Sequence, residues 1–353
     1  MTLDPGSRIG ILGVGQLGRM LASAAAKLGF RTAVYGPDAS RSPAGSVTDR
    51  AVEGAYEDDE AVARFAAACD VVTYEFENVP ASTAVAVSAA GIRLAPNAGA
   101  LAASQERLRE KSLFRELSIP TVDFWPVENA GDLTAALREA GPSILKTRRF
   151  GYDGKGQRVL AGTEDAEEVL ADLGGGPWLL EAKASFEREV SVVAARSLSG
   201  EVAFFDLAEN RHKNGILDRT ILPAPNQEAF LKQAQDAARR LLEHLDYVGV
   251  LTVEFFDCGG RLLANEMAPR VHNSGHLSLE ACATSQFEQH IRAIAGWPLG
   301  SPATRVPSEM TNLIGHDADD WLELLSDPSL SLTLYGKRTA RPGRKMGHVV
   351  RPL

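Results

Sequence analysis

Residues 144–157 read ILKTRRFGYDGKGQ, an apolar strand that ends in lysine and runs into a glycine-rich loop. Gly151, Gly154 and Gly156 leave the backbone free to bend, and its amides, with the Lys155 ammonium, are suited to covering phosphate oxygens. Lys146, closing the apolar strand, is placed to neutralise those oxygens, with snorkelling to the surface as the alternative. The loop is not a Walker A motif, because Gly-Lys is not followed by Ser or Thr and no helix opens behind it. An ordinary hairpin turn would also use these glycines. Around the loop, a strand at Val122–Trp125, a helix at Asp132–Ala140, a helix at Glu164–Leu173 and a strand at Trp178–Glu181 make a small α+β unit.

Upstream, Arg8 to Val14 is a short apolar run, and Leu17, Met20, Leu21, Ala24, Ala25 and Leu28 then recur at helical spacing. Between them Gly13-Val14-Gly15-Gln16-Leu17-Gly18 matches G-x-G-x-x-G in strand-to-helix context, which points to a phosphate at a helix N-terminus or to close helix–strand packing without a ligand. The acid that a dinucleotide enzyme needs after the second strand is missing from Val34-Tyr35-Gly36-Pro37, and Asp38 lies beyond the proline turn. Alternating strands (Thr32–Tyr35, Val71–Phe76, Ile92–Ala95) and helices (Asp58–Cys69, Pro80–Ala90) predict a parallel sheet. A charged amphipathic helix over Leu101–Leu117, stopped by Ile119-Pro120, marks a domain boundary.

Downstream, antiparallel strands are expected at Val190–Ala195 and Val202–Leu207, helices at Gln227–Leu245 and Leu277–Ala295, and a hairpin from Val250–Phe256 through Cys258-Gly259-Gly260 to Arg261–Glu266. A register pairing Glu254 with Ala264 brings Glu266 diagonally onto the Glu254 face. Two carboxylates among apolar residues suit a shared Mg²⁺, with Asn265 as a further oxygen donor; solvated carboxylates are the alternative. Residues 268–276, APRVHNSGH, form the densest polar run. Arg270 there can hold a planar anion such as bicarbonate or a carboxylate in two parallel hydrogen bonds, and His272 can carry a proton.

The 353 residues suggest two or three domains, and the net charge of −9 argues against nucleic acid while leaving small anions open. Cys69, Cys258 and Cys282 suggest neither a disulfide framework nor a zinc site, and with no signal peptide or membrane span legible a cytoplasmic location is expected. The tail is basic, with no acid from Tyr335 to Leu353.

The strand-lysine, the flap, Glu181-Ala182-Lys183-Ala184 and the Glu254…Asn265-Glu266 set together resemble the ATP-grasp superfamily. GILGVGQLGRML, YEFENV, FGYDGKGQ, FEREVSVVAAR, AENRHKNGI and above all NEMAPRVHNSGH resemble the bacterial N5-carboxyaminoimidazole ribonucleotide synthetases of purine biosynthesis, over nearly the whole chain. The resemblance implies a three-domain α/β architecture: residues 1–105 as a Rossmann-like substrate domain, 106–184 as the small ATP-grasp domain, and 185–353 as the large one, with a lobe from about 307. It implies ATP held by Arg107, Lys146, Gly151, Tyr152, Asp153, Gly154, Lys155, Gly156, Gln157, the strand Glu181, Ala182, Lys183 and Ala184, Glu189, His212, Asn265 and Glu266. Glu254 and Glu266 would hold Mg²⁺. Gln16, Leu17, Glu75, Tyr152, Asp153, Lys337, Arg344 and Lys345 would bind 5-aminoimidazole ribonucleotide, and Arg270, His272 and Asn273, with Lys337, would serve bicarbonate and catalysis. The expected activity is carboxylation driven by ATP, by a cytoplasmic homodimer that binds neither nucleic acid nor membrane. Another ATP-grasp ligase, such as a formate-dependent glycinamide ribonucleotide transformylase, and an NAD(P)-binding oxidoreductase are the alternatives.

Overall fold

A computed structural model of the chain describes residues 2–151, 156–174 and 176–353. The first sheet holds β1 (Arg8–Leu12), β2 (Arg31–Gly36), β3 (Arg50–Glu53) and β4 (Val71–Tyr74), all parallel in the order β3-β2-β1-β4. The near-continuous apolar runs of β1 and β4 follow from cover on both faces. Edge strand β3, half-exposed and carrying Arg50 and Glu53, has no apolar run to reveal it. The strand expected at 92–95 shrinks to one bridge between Val72 and Leu94.

The helix expected over 101–117 is two helices, Ala98–Ser104 and Arg107–Glu116. Glu106 is extended, and its carboxylate accepts the amides of Leu108 and Arg109 at 3.0 and 3.2 Å, capping the second helix. That cap aims Arg107 and Glu110 at the large sheet.

The second sheet, antiparallel, comprises β5 (Phe124–Val127), β6 (Ser143–Thr147), β7 (Gln157–Leu160) and β8 (Trp178–Ala182) in the order β5-β8-β6-β7. Helices Ala130–Ala140 and Ala166–Leu173 bury Leu133, Leu137 and Val169 against Leu145, Trp178 and Leu180.

The third sheet contains β9 (Arg188–Arg196), β10 (Val202–Phe204), β11 (Ala208–Lys213), β12 (Ile216–Leu222), β13 (Gly249–Asp257), β14 (Leu262–Ala268), β15 (Ser308–Ile314), β16 (Ser331–Leu334) and β17 (Lys345–Pro352). Its order is β14-β13-β9-β11-β12-β15-β17-β16, with β10 also on β9. The segment beyond 307 therefore extends the large sheet, through β12–β15 pairing. The helix expected over 277–295 is interrupted: Cys282 bridges to Thr304, and Ser285 caps a new helix, Gln286–Ala295. Likewise, the long helix expected from Gln227 begins at Leu231, after a single tight turn.

The first and third sheets share one core, in which Leu17, Met20 and Leu21 of helix Gln16–Lys27 join Phe287, Ile291 and Ile294 of helix Gln286–Ala295. Buried His290 links them too: its Nδ1 accepts the Val250 amide at 3.1 Å, and its Nε2 lies 2.8 Å from Thr73 Oγ1.

Candidate active site

The glycine turn after β1 already holds an anion, and it belongs to the protein. Glu75, directly after β4, accepts the amides of Gly15 at 2.7 Å and Gly18 at 3.3 Å through its two carboxylate oxygens. It occupies the helix N-terminus where a dinucleotide would place its pyrophosphate. The glycines are required for this approach: a Cβ on Gly13, whose φ is +117°, would lie 2.4 Å from Glu75 Cγ, and one on Gly15 would lie 2.9 Å from Glu75 Oε1. Burial raises the Glu75 carboxyl, and the two amides and Arg270 oppose that rise. The motif is thus a carboxylate cradle, and the NAD(P) reading has no free phosphate seat there.

Two residues on, Glu77 grips Arg270 bidentately, with Glu77 Oε1 accepting from Nη2 at 2.8 Å and Oε2 from Nε. The remaining Arg270 Nη1 donates to the Val271 carbonyl at 2.9 Å. Burial works against the charge, but Glu77 holds the Arg270 pKa above the usual guanidinium value. Asn273 exchanges two amide hydrogen bonds, both 3.0 Å, with Asn312 of β15. His272 lies with Nε2 3.3 Å from Glu254 Oε1. Burial, and then Arg270, push its pKa far down, so the ring is neutral.

Glu254 on β13 pairs directly with Glu266 on β14, whereas Phe255 pairs with Ala264. A bulge at Asn265 accounts for the difference from the expected diagonal register, and it opposes the two carboxylates. Burial, then Glu266, push the Glu254 carboxyl well above the ordinary range. Arg107 reaches Glu266 at 3.3 Å. Asn265 Oδ1 is buried without a hydrogen-bond partner among the described residues. Two opposed carboxylates and a spare amide oxygen fit a hard divalent cation whose remaining positions go to phosphate oxygens and water. Among the described residues no cluster of three or more His, Cys, Asp or Glu forms a complete protein cage.

On the second sheet, Lys146 Nζ donates to Glu181 Oε2 at 2.8 Å, and fully buried Lys111 approaches the same oxygen at 3.5 Å. Burial alone would raise the Glu181 carboxyl, but Lys111, then Lys146, hold it down at about 2. The amides of Ala182 and Lys183 donate to the carbonyls of Asp123 and Pro142 at 2.9 and 3.0 Å, and Ala184 follows in the connection to β9. Gly156, with φ +72°, turns the chain into Gln157 and β7, and a Cβ there would meet Thr147 Oγ1 at 2.6 Å. Tyr152, Asp153, Gly154 and Lys155 lie outside the described residues. On the third sheet, His212 Nδ1 lies 2.6 Å from Glu189 Oε2. Although burial lowers the His212 pKa, that hydrogen bond and the Glu189 charge raise it overall.

One cleft of about 980 Å³ collects much of this. Gln16, Leu17 and Glu75 come from the first sheet, Arg107, Gly151 and Glu266 from the middle of the chain, and Arg270, His272 and Asn273 from the polar run. Lys337, Arg344 and Lys345 close it from the tail. Lys337 Nζ donates to the Lys345 carbonyl at 2.6 Å, and Arg344 donates to the Thr339 carbonyl at 2.8 Å. Lys146, Gly156, Gln157, Glu181 to Ala184, Glu189, His212, Glu254 and Asn265 are not in its lining.

Residues 7–105 match the ribonucleotide synthetase preATP-grasp domain, 112–287 the ATP-grasp domain, and 308–351 the phosphoribosylaminoimidazole carboxylase C-terminal domain. Over 354 residues, 99% of this chain and 97% of the relative, the chain is 51% identical to N5-carboxyaminoimidazole ribonucleotide synthase of Brucella melitensis. The chain belongs to the N5-carboxyaminoimidazole ribonucleotide synthetase family. The crystal structure of the Thermus thermophilus synthetase has a TM-score of 0.91 at 47% identity, covering 98% of this chain and 93% of that one. The Aspergillus clavatus enzyme, solved with ADP and 5-aminoimidazole ribonucleotide, has a TM-score of 0.91 at 32% identity, covering 99% and 94%.

Four residues of this synthetase-family site escape sequence reasoning. Glu77 and Glu110 were hidden because their partners, Arg270 and the Met267 amide (2.7 Å), are distant in sequence. Lys111 reads as one more charge on a charged helix. Arg148 grips the Glu106 cap at 2.7 and 3.0 Å and so ties the end of β6 to the helix bearing Arg107. A carboxylate at both 75 and 77, flanking an aromatic, was the available signal.

Proposed function

We propose that this chain uses ATP to carboxylate 5-aminoimidazole ribonucleotide with bicarbonate, giving N5-carboxyaminoimidazole ribonucleotide, ADP and phosphate. The observation that carries the reading is the single cleft in which the Glu75 cradle, the Arg270–Asn273 run, Glu266 and the basic tail meet. A purely nucleotide-binding protein would have no need to bring the first sheet and the tail to the same space.

In this reading a bicarbonate oxygen attacks the γ-phosphorus of ATP as the bond to the β-phosphate oxygen breaks, releasing ADP and leaving carboxyphosphate. The exocyclic amine of the ribonucleotide then attacks the carboxyl carbon, or CO₂ released from it, phosphate departs, and the nitrogen loses a proton. Lys146 and Arg107 are assigned to offsetting phosphate charge. Arg270, pinned by Glu77, provides a fixed positive charge at the bicarbonate end. Lys337, Arg344 and Lys345 supply the donors for the ribose phosphate, with Gln16 and Leu17 against the base. Glu189 and His212 are assigned to the ribose side of ATP, and Gly151 to Gln157, including Tyr152 and Asp153, to the covering flap, which excludes water from a labile intermediate. Mg²⁺ bound by Glu254, Glu266 and Asn265 would supply Lewis-acid stabilisation of the phosphates.

A cytoplasmic homodimer completes the reading. The free cysteines Cys69, Cys258 and Cys282 suit a reducing compartment, and no helix among the described residues is long and apolar enough to cross a membrane. The deciding assay measures ADP release with bicarbonate or formate, with and without the ribonucleotide. Release that depends on bicarbonate and is stimulated by the ribonucleotide is expected; release driven by formate, or indifferent to the ribonucleotide, overturns the proposal.

A further inference from the structure

A line of buried polar side chains crosses the centre of the large sheet and ends on His272. Thr220 of β12 donates from Oγ1 to Asn210 Oδ1 on β11 at 3.2 Å, and Asn210 Nδ2 donates to Ser191 Oγ on β9 at 2.9 Å. The Ser191 hydroxyl donates to Ser274 Oγ at 2.8 Å, and Ser274 Oγ lies 2.9 Å from His272 Nδ1. Thr220, Ser191 and Ser274 are completely buried, and Asn210 is 4% exposed.

The direction of the line is fixed at its far end. The Ser274 backbone amide, which can only donate, points at His272 Nδ1 at 3.3 Å. Nδ1 is therefore an acceptor, and the Ser274 hydroxyl, already accepting from Ser191, donates to the same nitrogen. A neutral imidazole with Nδ1 as acceptor carries its proton on Nε2. Nε2 lies 3.3 Å from Glu254 Oε1, so the protonated side of the ring is turned towards that carboxyl group. Buried hydroxyls are costly where an aliphatic residue would fill the sheet equally well, and Val193 and Ala195, on the same face of β9 as Ser191, do so. The fold does not need this line; the orientation of His272 does.

We propose that Ser274, Ser191 and Asn210 are positioning residues that lock His272 as the Nε2–H tautomer, with that N–H turned towards the side of the cleft that carries Glu254. The inference deepens the proposed reaction and rests on it for the meaning of Glu254, but the tautomer itself is a property of the free protein. The hydrogen bonds to Nδ1 act through geometry: a ring that can rotate or change tautomer no longer presents the same N–H to the cleft.

The test combines spectroscopy with kinetics. The protein labelled with ¹⁵N in its histidine rings is examined by two-bond ¹H–¹⁵N correlation, with His272 assigned from its loss in His272→Gln. At neutral pH the wild-type ring is expected to show Nε2 protonated and Nδ1 bare, and Ser274→Ala to show mixed tautomers. Ser274→Ala is expected to lower kcat about tenfold, the loss of one hydrogen bond, with KM for ATP within about twofold. Ser274→Thr, which keeps the hydroxyl, restores most of the rate. Should Ser274→Ala fail to fold, Ser191→Ala makes the same break one link earlier and is expected to shift the His272 signals in the same sense. A wild-type ring protonated on Nδ1, or variants with unchanged tautomer and unchanged kcat, overturns the proposal. Absence of ribonucleotide-stimulated ADP release in the wild type, with the Nε2–H tautomer intact, would instead refute the proposed reaction.

Discussion

Replacing Glu181 by Gln tests the most concentrated charge arrangement in the molecule. The Glu181 side chain is 3% exposed and serves two ammonium groups through one oxygen, Lys146 at 2.8 Å and Lys111 at 3.5 Å. Lys111 has no route to water, so the isosteric amide leaves a buried positive charge without its counter-ion. Breaking a buried pair in this way costs about 3–5 kcal/mol. At about 2–4 °C per kcal/mol for a chain of this order, the expected fall in Tm is roughly 10 °C. The pH dependence gives a second check. Glu181 is held at about 2, below its ordinary value of 4.5, so its contribution is complete above pH 4.5 and declines as pH falls towards the folded value. The gap between wild type and variant, measured by calorimetry or denaturant titration, should therefore be full at pH 7.5 and begin to narrow below about pH 4.5. Lys146→Met provides the control, since it leaves Lys111 paired with Glu181 and should destabilise less while raising KM for ATP. A Glu181→Gln protein within about 1 kcal/mol of wild type would refute the claim that this carboxylate neutralises a buried pair of lysines.

Further outcomes follow from the same geometry. Glu266→Gln should lower kcat at least about 100-fold with little change in Tm, because it removes one of two opposed carboxylates that also repel one another; near-normal turnover removes the metal assignment. Gly15→Ala places a Cβ 2.9 Å from Glu75 Oε1 and should raise KM for the ribonucleotide while sparing KM for ATP, read from initial rates. Glu77→Gln frees Arg270 to turn and should reduce kcat/KM for bicarbonate about tenfold, about the worth of one charge-assisted hydrogen bond. His290, held neutral by burial with its pKa lowered to about 3 from 6.5, should make the wild type lose stability as pH falls below 6.5. His290→Gln should flatten that slope by up to about 1.4 kcal/mol per pH unit, and an unchanged slope would exclude His290 as its source.

What the sequence revealed and what it concealed divide along a physical line. Periodicity and glycine spacing are local, and they located β1 with its following helix, three of the four strands of the small sheet (β5, β6 and β8, but not β7) and the β13–β14 hairpin. Strands β11 and β12 were invisible because AENRHK and ILDRTIL lack a clean alternation: Asn210 and Thr220 are buried and bonded to one another across the strands, whereas Arg211, Lys213 and Arg219 face solvent. The break at Gln105-Glu106 escaped because a glutamate cap looks like any other charge on a helix until Arg148, remote in sequence, is seen to grip it. The bulge at Asn265 cannot be read from a period of two, and it changes a diagonal pair of carboxylates into an opposed one. The role of the first glycine motif depended on a residue some sixty positions away: the amides were legible, and the Glu75 that fills them was not.

Four sets of donors around the site share one property. The Gly15 and Gly18 amides hold Glu75, Arg270 holds Glu77, Arg107 holds Glu266, and Lys146 holds Glu181. Each donor is already paired with a carboxylate of the protein itself. In this acidic chain the pairing sets three cations, Arg107, Lys146 and Arg270, each beside a carboxylate of the protein. It also fixes how affinity arises. A ligand anion entering the cleft would gain only the difference between its own hydrogen bonds and those shared with or taken from the resident carboxylate. The resident carboxylates keep each donor oriented before the ligand arrives, and orientation that is already in place before binding is what a transfer of phosphate to a small, weakly held anion requires.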